Sequence, residues 1–212
     1  MPRFSVVIPL YNKENFIEAT LKSVSEQSFQ DFEILVVNDC ATDTSLEVVK
    51  SVTDPRIRVI QHKKNKGLSA SRNTGIRNAS APYIAFLDAD DYWNKNKLRT
   101  QLKFMNKNNY LVSHTSYQII NKKGKIISNR KARSFFEVND LLYSCDIGLS
   151  TVMLKKNILS KNLKFPNIKT KEDFVFWLFL LKKKIPINGL NKNLMYWRKL
   201  DNSLSSSSIQ KI

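Results

Sequence analysis

From residue 4 the chain alternates two kinds of hydrophobic pattern. The run "FSVVIPL" (4–10) is continuously apolar, as in strands buried on both faces of a parallel sheet. "NFIEATLKSVSEQ" (15–27) then sets Phe16, Ile17, Leu21 and Val24 at helical spacing, with Asn15 and Glu18 as a capping-box start. Strands follow at "FEILVVN" (32–38), "IRVIQH" (57–62) and "YIAFLD" (83–88), separated by helices over "TDTSLEVVKSV" (42–52) and "SASRNTGIRNA" (69–79). Four strands with three short helices between them predict right-handed crossovers and an α/β fold with a doubly wound, mostly parallel sheet. Ligands of such sheets bind beyond the carboxyl ends of the strands. The polar clusters fall at those ends: Tyr11 and Asn12, Asn38 and Asp39, "HKKNKG" (62–67), and Asp88 to Asp91.

After residue 94 the pattern changes. "KLRTQLKFMNKN" (97–108) predicts a basic helix, and "YLVSHTSYQIINKKGKIIS" (110–128) two strands joined by a turn at Lys123-Gly124. A short helix at 138–145, a strand at 150–156, a buried apolar helix at 171–184 and a last strand at 193–199 follow. With no internal repeat and no Pro/Gly-rich linker, the chain is expected to be one domain, 1–212, with halves at 1–94 and 95–205 and a flexible, low-complexity tail at 206–212.

Charge sharpens this division. Residues 1–94 carry 11 Lys+Arg against 12 Asp+Glu, and residues 95–212 carry 24 against 6, so nearly all of the formal +17 lies in the second half. Such a surface attracts nucleic acid, anionic lipid or an anionic substrate, or is simply a solvated lysine-rich face. No RRM-type, helix-turn-helix or zinc pattern supports nucleic acid. The longest apolar run, "FVFWLFLL" (174–181), is too short to span a bilayer, and the start lacks a signal-peptide pattern. Cys40 and Cys145 match no metal or redox spacing, and a cytoplasmic setting is expected.

Candidate chemistry concentrates in two acid clusters. Asp88-Ala89-Asp90 places two carboxylates at a strand terminus, a set of oxygen ligands that favours Mg²⁺ or Mn²⁺ over zinc. Such an ion takes one or two carboxylates and completes its shell with phosphate, which suits a diphosphate leaving group. The alternative is an acid cluster capping a helix over "DYWNKNKL". There is no P-loop and no G-x-G-x-x-G, so a nucleotide would need other contacts. Asp39 could accept from a base N–H and Arg72 could grip phosphate or base oxygens; alone, one could be a helix N-cap and the other a surface helix residue. Glu172-Asp173 opens the apolar helix, where a helix dipole alone could explain it; the functional reading is a general base for an acceptor hydroxyl.

The ordered segments "VVIPLYNKENFIEATLKSVSEQSFQDFEILVVNDCATDTS", "NKGLSASRNTGI", "YIAFLDADDYW" and "KEDFVFWL" closely resemble family 2 glycosyltransferases of the GT-A fold, bacterial surface-polysaccharide type, over about residues 3 to 205. The resemblance implies a Rossmann-like, nucleotide-sugar-binding half and a smaller acceptor-side half. It implies inverting transfer of a hexosyl or N-acetylhexosaminyl group from a nucleotide-diphosphate donor, UDP-sugar first, to an acceptor hydroxyl. It further implies donor contacts at Pro9, Tyr11, Asp39, Gly67, Arg72, Asp88 and Ala89, a divalent metal at Asp90 with Asp88, and Asp173 as base. Trp93 and Glu172 are acceptor-side candidates. The implied partners are a nucleotide-sugar donor and a glycan or lipid-linked acceptor, with peripheral docking of the basic half on an anionic inner membrane face.

Two departures from the family pattern stand out. The common "DDGSTD" loop is "NDCATD", so Cys40 puts a side chain where a permissive backbone is usual. The C-terminal "YWRKLDNSLSSS" lacks the histidine many relatives carry, leaving Lys199 as a candidate diphosphate cation. A catalytically inactive, donor-binding relative acting as a partner subunit is the alternative these departures raise.

Overall fold

The computed structural model describes residues 1–160 and 163–200; the tail expected to be flexible, 206–212, lies outside them. The first half builds β1 (Phe4–Leu10), α1 (Ile17–Ser25), β2 (Phe32–Asn38), α2 (Ser45–Ser51), β3 (Ile57–Gln61), α3 (Leu68–Asn78) and β4 (Tyr83–Phe86). These strands are parallel in the order β3-β2-β1-β4, with Phe4 in register with both Phe32 and Tyr83. The order reverses at β1, so the β1 and β4 carboxyl ends flank a topological switch point, where ligands of such sheets sit.

All of β1 is buried because alternate residues feed two cores. Phe4, Val6, Ile8 and Leu10 meet Ile17, Leu21 and Val24 of α1 on one face. Val7 joins Leu35, Phe86, Phe176 and Trp177 on the other. On that second face α3 lies close on β1, and Gly75 makes the approach possible: a Cβ there would stand 2.3 Å from Val7 Cγ1. The close approach carries Arg72, one turn earlier, down onto the strand ends.

The second half adds β5 (Tyr92–Trp93), α4 (Lys97–Lys107), β6 (Val112–Ile120), β7 (Ile126–Arg130), α5 (Val138–Tyr143), β8 (Met153–Lys155), α6 (Glu172–Lys182) and β9 (Asn188–Arg198). They extend the same sheet as β4-β8-β6-β9-β5, with β7 paired to β6. The expected turn falls where Gly124 takes a φ of 79°. β9 starts at Asn188, earlier than the sequence pattern predicts, because it pairs along β6 from Ser113 to Ile120 across two register shifts.

The Asn15/Glu18 capping box does not form. Phe16 occupies the N-cap of α1 without a side-chain cap. The turn before it is held from outside: Ser45 Oγ accepts from Lys13 N at 2.7 Å, and Asp43 Oδ2 from Glu14 N at 3.1 Å. Among the described residues no helix is long and apolar enough to cross a membrane.

Candidate active site

The segment after β4 sorts its three acids by burial. Asp91 turns inward, 2% exposed, where its carboxylate accepts from Ser150 Oγ at 2.6 Å and Arg198 N at 3.1 Å. Burial, with the charges of Asp90 and Asp88, pushes its pKa well up. Of the polar cluster Asp88 to Asp91, Asp91 is thus a structural tie, and Asp88 and Asp90 keep partly exposed side chains. No helix follows these acids directly, since Tyr92–Trp93 form β5 and α4 begins at Lys97, so the helix-capping alternative does not hold. Ala89 is buried and its carbonyl lies 3.0 Å from Thr20 Oγ1. Trp93 is also corrected as an acceptor-side candidate: it is core, 3% exposed, and its indole N–H donates to Ser150 O at 2.7 Å.

Arg72 is the centre of the arrangement. Its guanidinium is 2% exposed and donates from Nη2 to Asp88 Oδ1 at 2.9 Å and from Nη1 to Glu172 Oε1 at 2.5 Å. It is not a surface helix residue, and two edges of its fork are taken by carboxylates rather than open to a ligand. Its Nε has no partner among the described residues. Through this one side chain the two acid clusters read from the sequence become a single site. Glu172 is accordingly a buried partner of Arg72, not an open acceptor contact.

Asp173 lies next along α6, and its Oδ1 accepts from Phe174 N at 2.7 Å. Its pKa is raised, chiefly by burial; Arg72 opposes the rise, while Glu172 and Asp88 add to it. A carboxylate held above its usual range is a stronger proton acceptor, which suits a general base.

On the other side of the switch point, Asp39 is a buried anchor. Its Oδ1 accepts from Lys66 N at 2.9 Å and its Oδ2 from Gly67 N at 2.7 Å. His62 Nδ1 lies 2.6 Å from Oδ1, and its Nε2 lies 2.9 Å from Thr74 Oγ1. Asp39 is not an N-cap of α2, a position held by Thr44. His62 escaped sequence reasoning, although its place just after β3 on the polar edge was the available signal. Gly67 takes a φ of 84° at the N-cap of α3. Pro9 is buried within β1 opposite Val37, and Tyr11 stands 46% exposed just beyond it. Cys40 takes a φ of 58°, the left-handed backbone its replacement of a glycine implies, and its Sγ donates to His62 O at 3.0 Å. Lys13, also missed from the sequence, pairs with Asp90 Oδ2 at 2.7 Å. Lys199 is exposed, and its backbone N–H donates to Ile120 O at 2.9 Å.

Residues 5–177 match the family described as Glycosyl transferase family 2. The chain belongs to this family. Among curated relatives, an uncharacterized glycosyltransferase of Rickettsia felis is 42% identical over 91% of this chain, which spans only 32% of that protein. The Escherichia coli enzyme WfgD, named as a UDP-Glc:alpha-D-GlcNAc-diphosphoundecaprenol beta-1,3-glucosyltransferase, is 35% identical over 98% of this chain and 81% of its own length. Among solved structures, S. aureus TarS 1-349 in complex with UDP-GlcNAc is 27% identical with a TM-score of 0.79, covering 98% of this chain and 61% of that one. The fold is GT-A. PcManGT of Pyrobaculum calidifontis, a mannosyltransferase solved with GDP-Man and Mn²⁺, shares it at 15% identity and a TM-score of 0.76 over 97% of this chain and 59% of that one.

For a family 2 chain, the acids also bear on a metal. Among the described residues no group of three or more His, Cys, Asp or Glu gathers as a ready cage. Asp88 and Asp90 are hard oxygen donors, each now facing a protein cation, Arg72 or Lys13. That donor set fits Mg²⁺ or Mn²⁺ sharing its shell with phosphate oxygens and water, not an ion held by protein alone.

Proposed function

We propose that this chain transfers a sugar, with inversion, from a nucleoside diphosphate donor, UDP-sugar preferred, to an acceptor hydroxyl in surface-glycan synthesis. The observation that carries the reading is the Arg72 bridge, which draws Glu172-Asp173 beside Asp88-Asp90. An in-line displacement needs a base and a leaving-group stabiliser at the two ends of one reacting line, and the bridge supports that pairing.

In this reading Asp173 takes the acceptor hydroxyl proton as the oxygen bonds to the anomeric carbon. The bond from that carbon to the diphosphate oxygen breaks, and its electron pair leaves with the nucleotide. A divalent ion held by Asp90 with Asp88 would supply charge stabilisation to the departing diphosphate. Lys13 balances Asp90 and lies ready as a further cation for the phosphates. Tyr11, with Asp39 and Gly67 shaping the loop around it, forms the nucleoside side of the cleft. Arg72 acts as a positioning residue, fixing Asp88 and, through Glu172, the start of α6.

The acceptor class follows WfgD, whose name specifies a sugar on diphosphoundecaprenol. Peripheral attachment to an anionic inner membrane face fits the basic second half and the exposed Phe136, Leu142 and Tyr143 around α5. Calorimetric titration of UDP with and without Mn²⁺, on wild type and Asp90→Ala, tests the reading. Metal-dependent binding that Asp90→Ala abolishes is expected. If no nucleotide binds under any metal condition, the reading fails.

A further inference from the structure

A groove of about 520 Å³ runs along the outer flank of α1, between that helix, β5 and the β6–β7 turn. Lys22, Lys95, Lys123 and Arg198 line it beside Lys122, and among the described residues that line it Glu26 is the one carboxylate. Glu26 stands 3.9 Å from Lys22 and offsets only part of that charge. The cations come from four separate stretches of chain, so the fold, not a local run of lysines, assembles them. Isolated charges on a solvated face repel one another and spread; here they converge on one concavity.

Arg198 is the built element of the groove. Its guanidinium lies 5.2 Å from the Phe16 ring and 5.6 Å from the Tyr92 ring, and Tyr92 in turn stacks on Tyr196 at 4.6 Å. Its Nε donates to Asp90 O at 3.2 Å. Its terminal nitrogens carry no hydrogen bond among the described residues, while aromatic contacts and the Nε bond fix the plane of the fork. A pre-set guanidinium fork is the side chain best matched to the paired oxygens of a phosphate.

The groove lies on the sheet face covered by α1, whereas Arg72, Glu172 and Asp173 belong to the opposite face with α3 and α6. We infer that this groove is a second anion site, taking a phosphate or diphosphate group that is not the donor's. Because Arg198 also holds the Asp90 carbonyl and, through its backbone N–H, the Asp91 carboxylate, occupancy of the groove bears on the segment that carries the candidate ion ligands. The phosphate could be a free anion or a phospholipid headgroup; only its separation from a donor cleft rests on the proposed function, and binding of either probe is read without it.

The test compares wild type with a Lys22→Glu/Lys95→Glu/Lys123→Glu variant, all three positions being exposed. One arm titrates inorganic pyrophosphate calorimetrically at low salt. The other measures co-sedimentation with phosphatidylglycerol/phosphatidylcholine vesicles beside pure phosphatidylcholine. An unchanged thermal melt and unchanged UDP affinity in the variant separate this site from the donor cleft. A loss of at least about tenfold in pyrophosphate affinity supports the site with a free anion. The same loss in anionic vesicle binding, with no pyrophosphate binding by wild type, supports it with a lipid headgroup. If neither probe binds wild type, or the variant binds as wild type does in both arms, the inference is overturned.

Discussion

Removing the Arg72 cation is the perturbation that separates its two roles. Arg72→Met keeps much of the side-chain volume but strips the partner from Glu172, whose side chain is only 9% exposed, and from Asp88. Breaking a buried ion pair by deleting one member costs about 3–5 kcal/mol, because the other charge stays buried. For a chain of this size each kcal/mol moves the melting temperature by roughly 2–4 °C, so the expected fall is roughly 6–20 °C. Adding Glu172→Gln to Arg72→Met should return more than half of that loss, since a neutral pair carries no stranded charge. The catalytic signature is directional. Arg72 holds the Asp173 pKa down and Glu172 holds it up. In an assay of kcat/KM against pH, Arg72→Met should move the acid limb to higher pH, and Glu172→Gln should move it to lower pH. Thermal melts and the two pH profiles, measured with one donor and acceptor pair, decide the matter. Shifts in the same direction, or unshifted profiles with unchanged melts, would refute the bridge as a device acting on Asp173.

Three further outcomes follow from particular contacts. Burial takes the Lys97 ammonium down to about 7, while the unfolded chain keeps that proton to about pH 10, so this residue makes stability rise between those values. Lys97→Met should therefore stabilise most below pH 7, its advantage shrinking towards pH 10 in urea melts; a pH-independent difference would contradict this. Gly75→Ala should cost about 1–3 kcal/mol through the 2.3 Å clash with Val7 Cγ1, partly offset by about 1 kcal/mol of helix propensity, and Val7→Ala should restore part of the loss. Asp39→Leu leaves the part-buried Lys66 and Gly67 N–H groups without their acceptor, and a loss of about 1–3 kcal/mol in all is expected in thermal melts, together with weakened UDP binding.

The alternation of strand and helix in residues 4–86 was legible because each apolar run matches its element's period, and the polar edge followed from topology. What could not be read was pairing across the chain. Which of three adjacent acids turns inward depends on Ser150 and Arg198, 59 and 107 residues away from Asp91. Arg72 finds Glu172 across 100 residues, so an arginine read as a phosphate contact is instead committed to two carboxylates. Trp93, an acceptor-side candidate beside the acids, is drawn into the core because its N–H goes to the Ser150 carbonyl, 57 residues along the chain. The Asn15/Glu18 box failed for a similar reason: Glu14 and Lys13 are drawn to the Asp43–Ser45 loop, which sets the start of α1 from outside.

The central claim is that Asp173 accepts the acceptor proton in a sugar transfer. The most direct measurement is the single-turnover rate of Asp173→Asn beside wild type, using a UDP-sugar and a diphosphate-lipid-linked GlcNAc acceptor, with UDP affinity measured on the same preparations. The account predicts a rate about 10²–10⁴-fold lower with UDP affinity unchanged. Transfer by Asp173→Asn at the wild-type rate would contradict it.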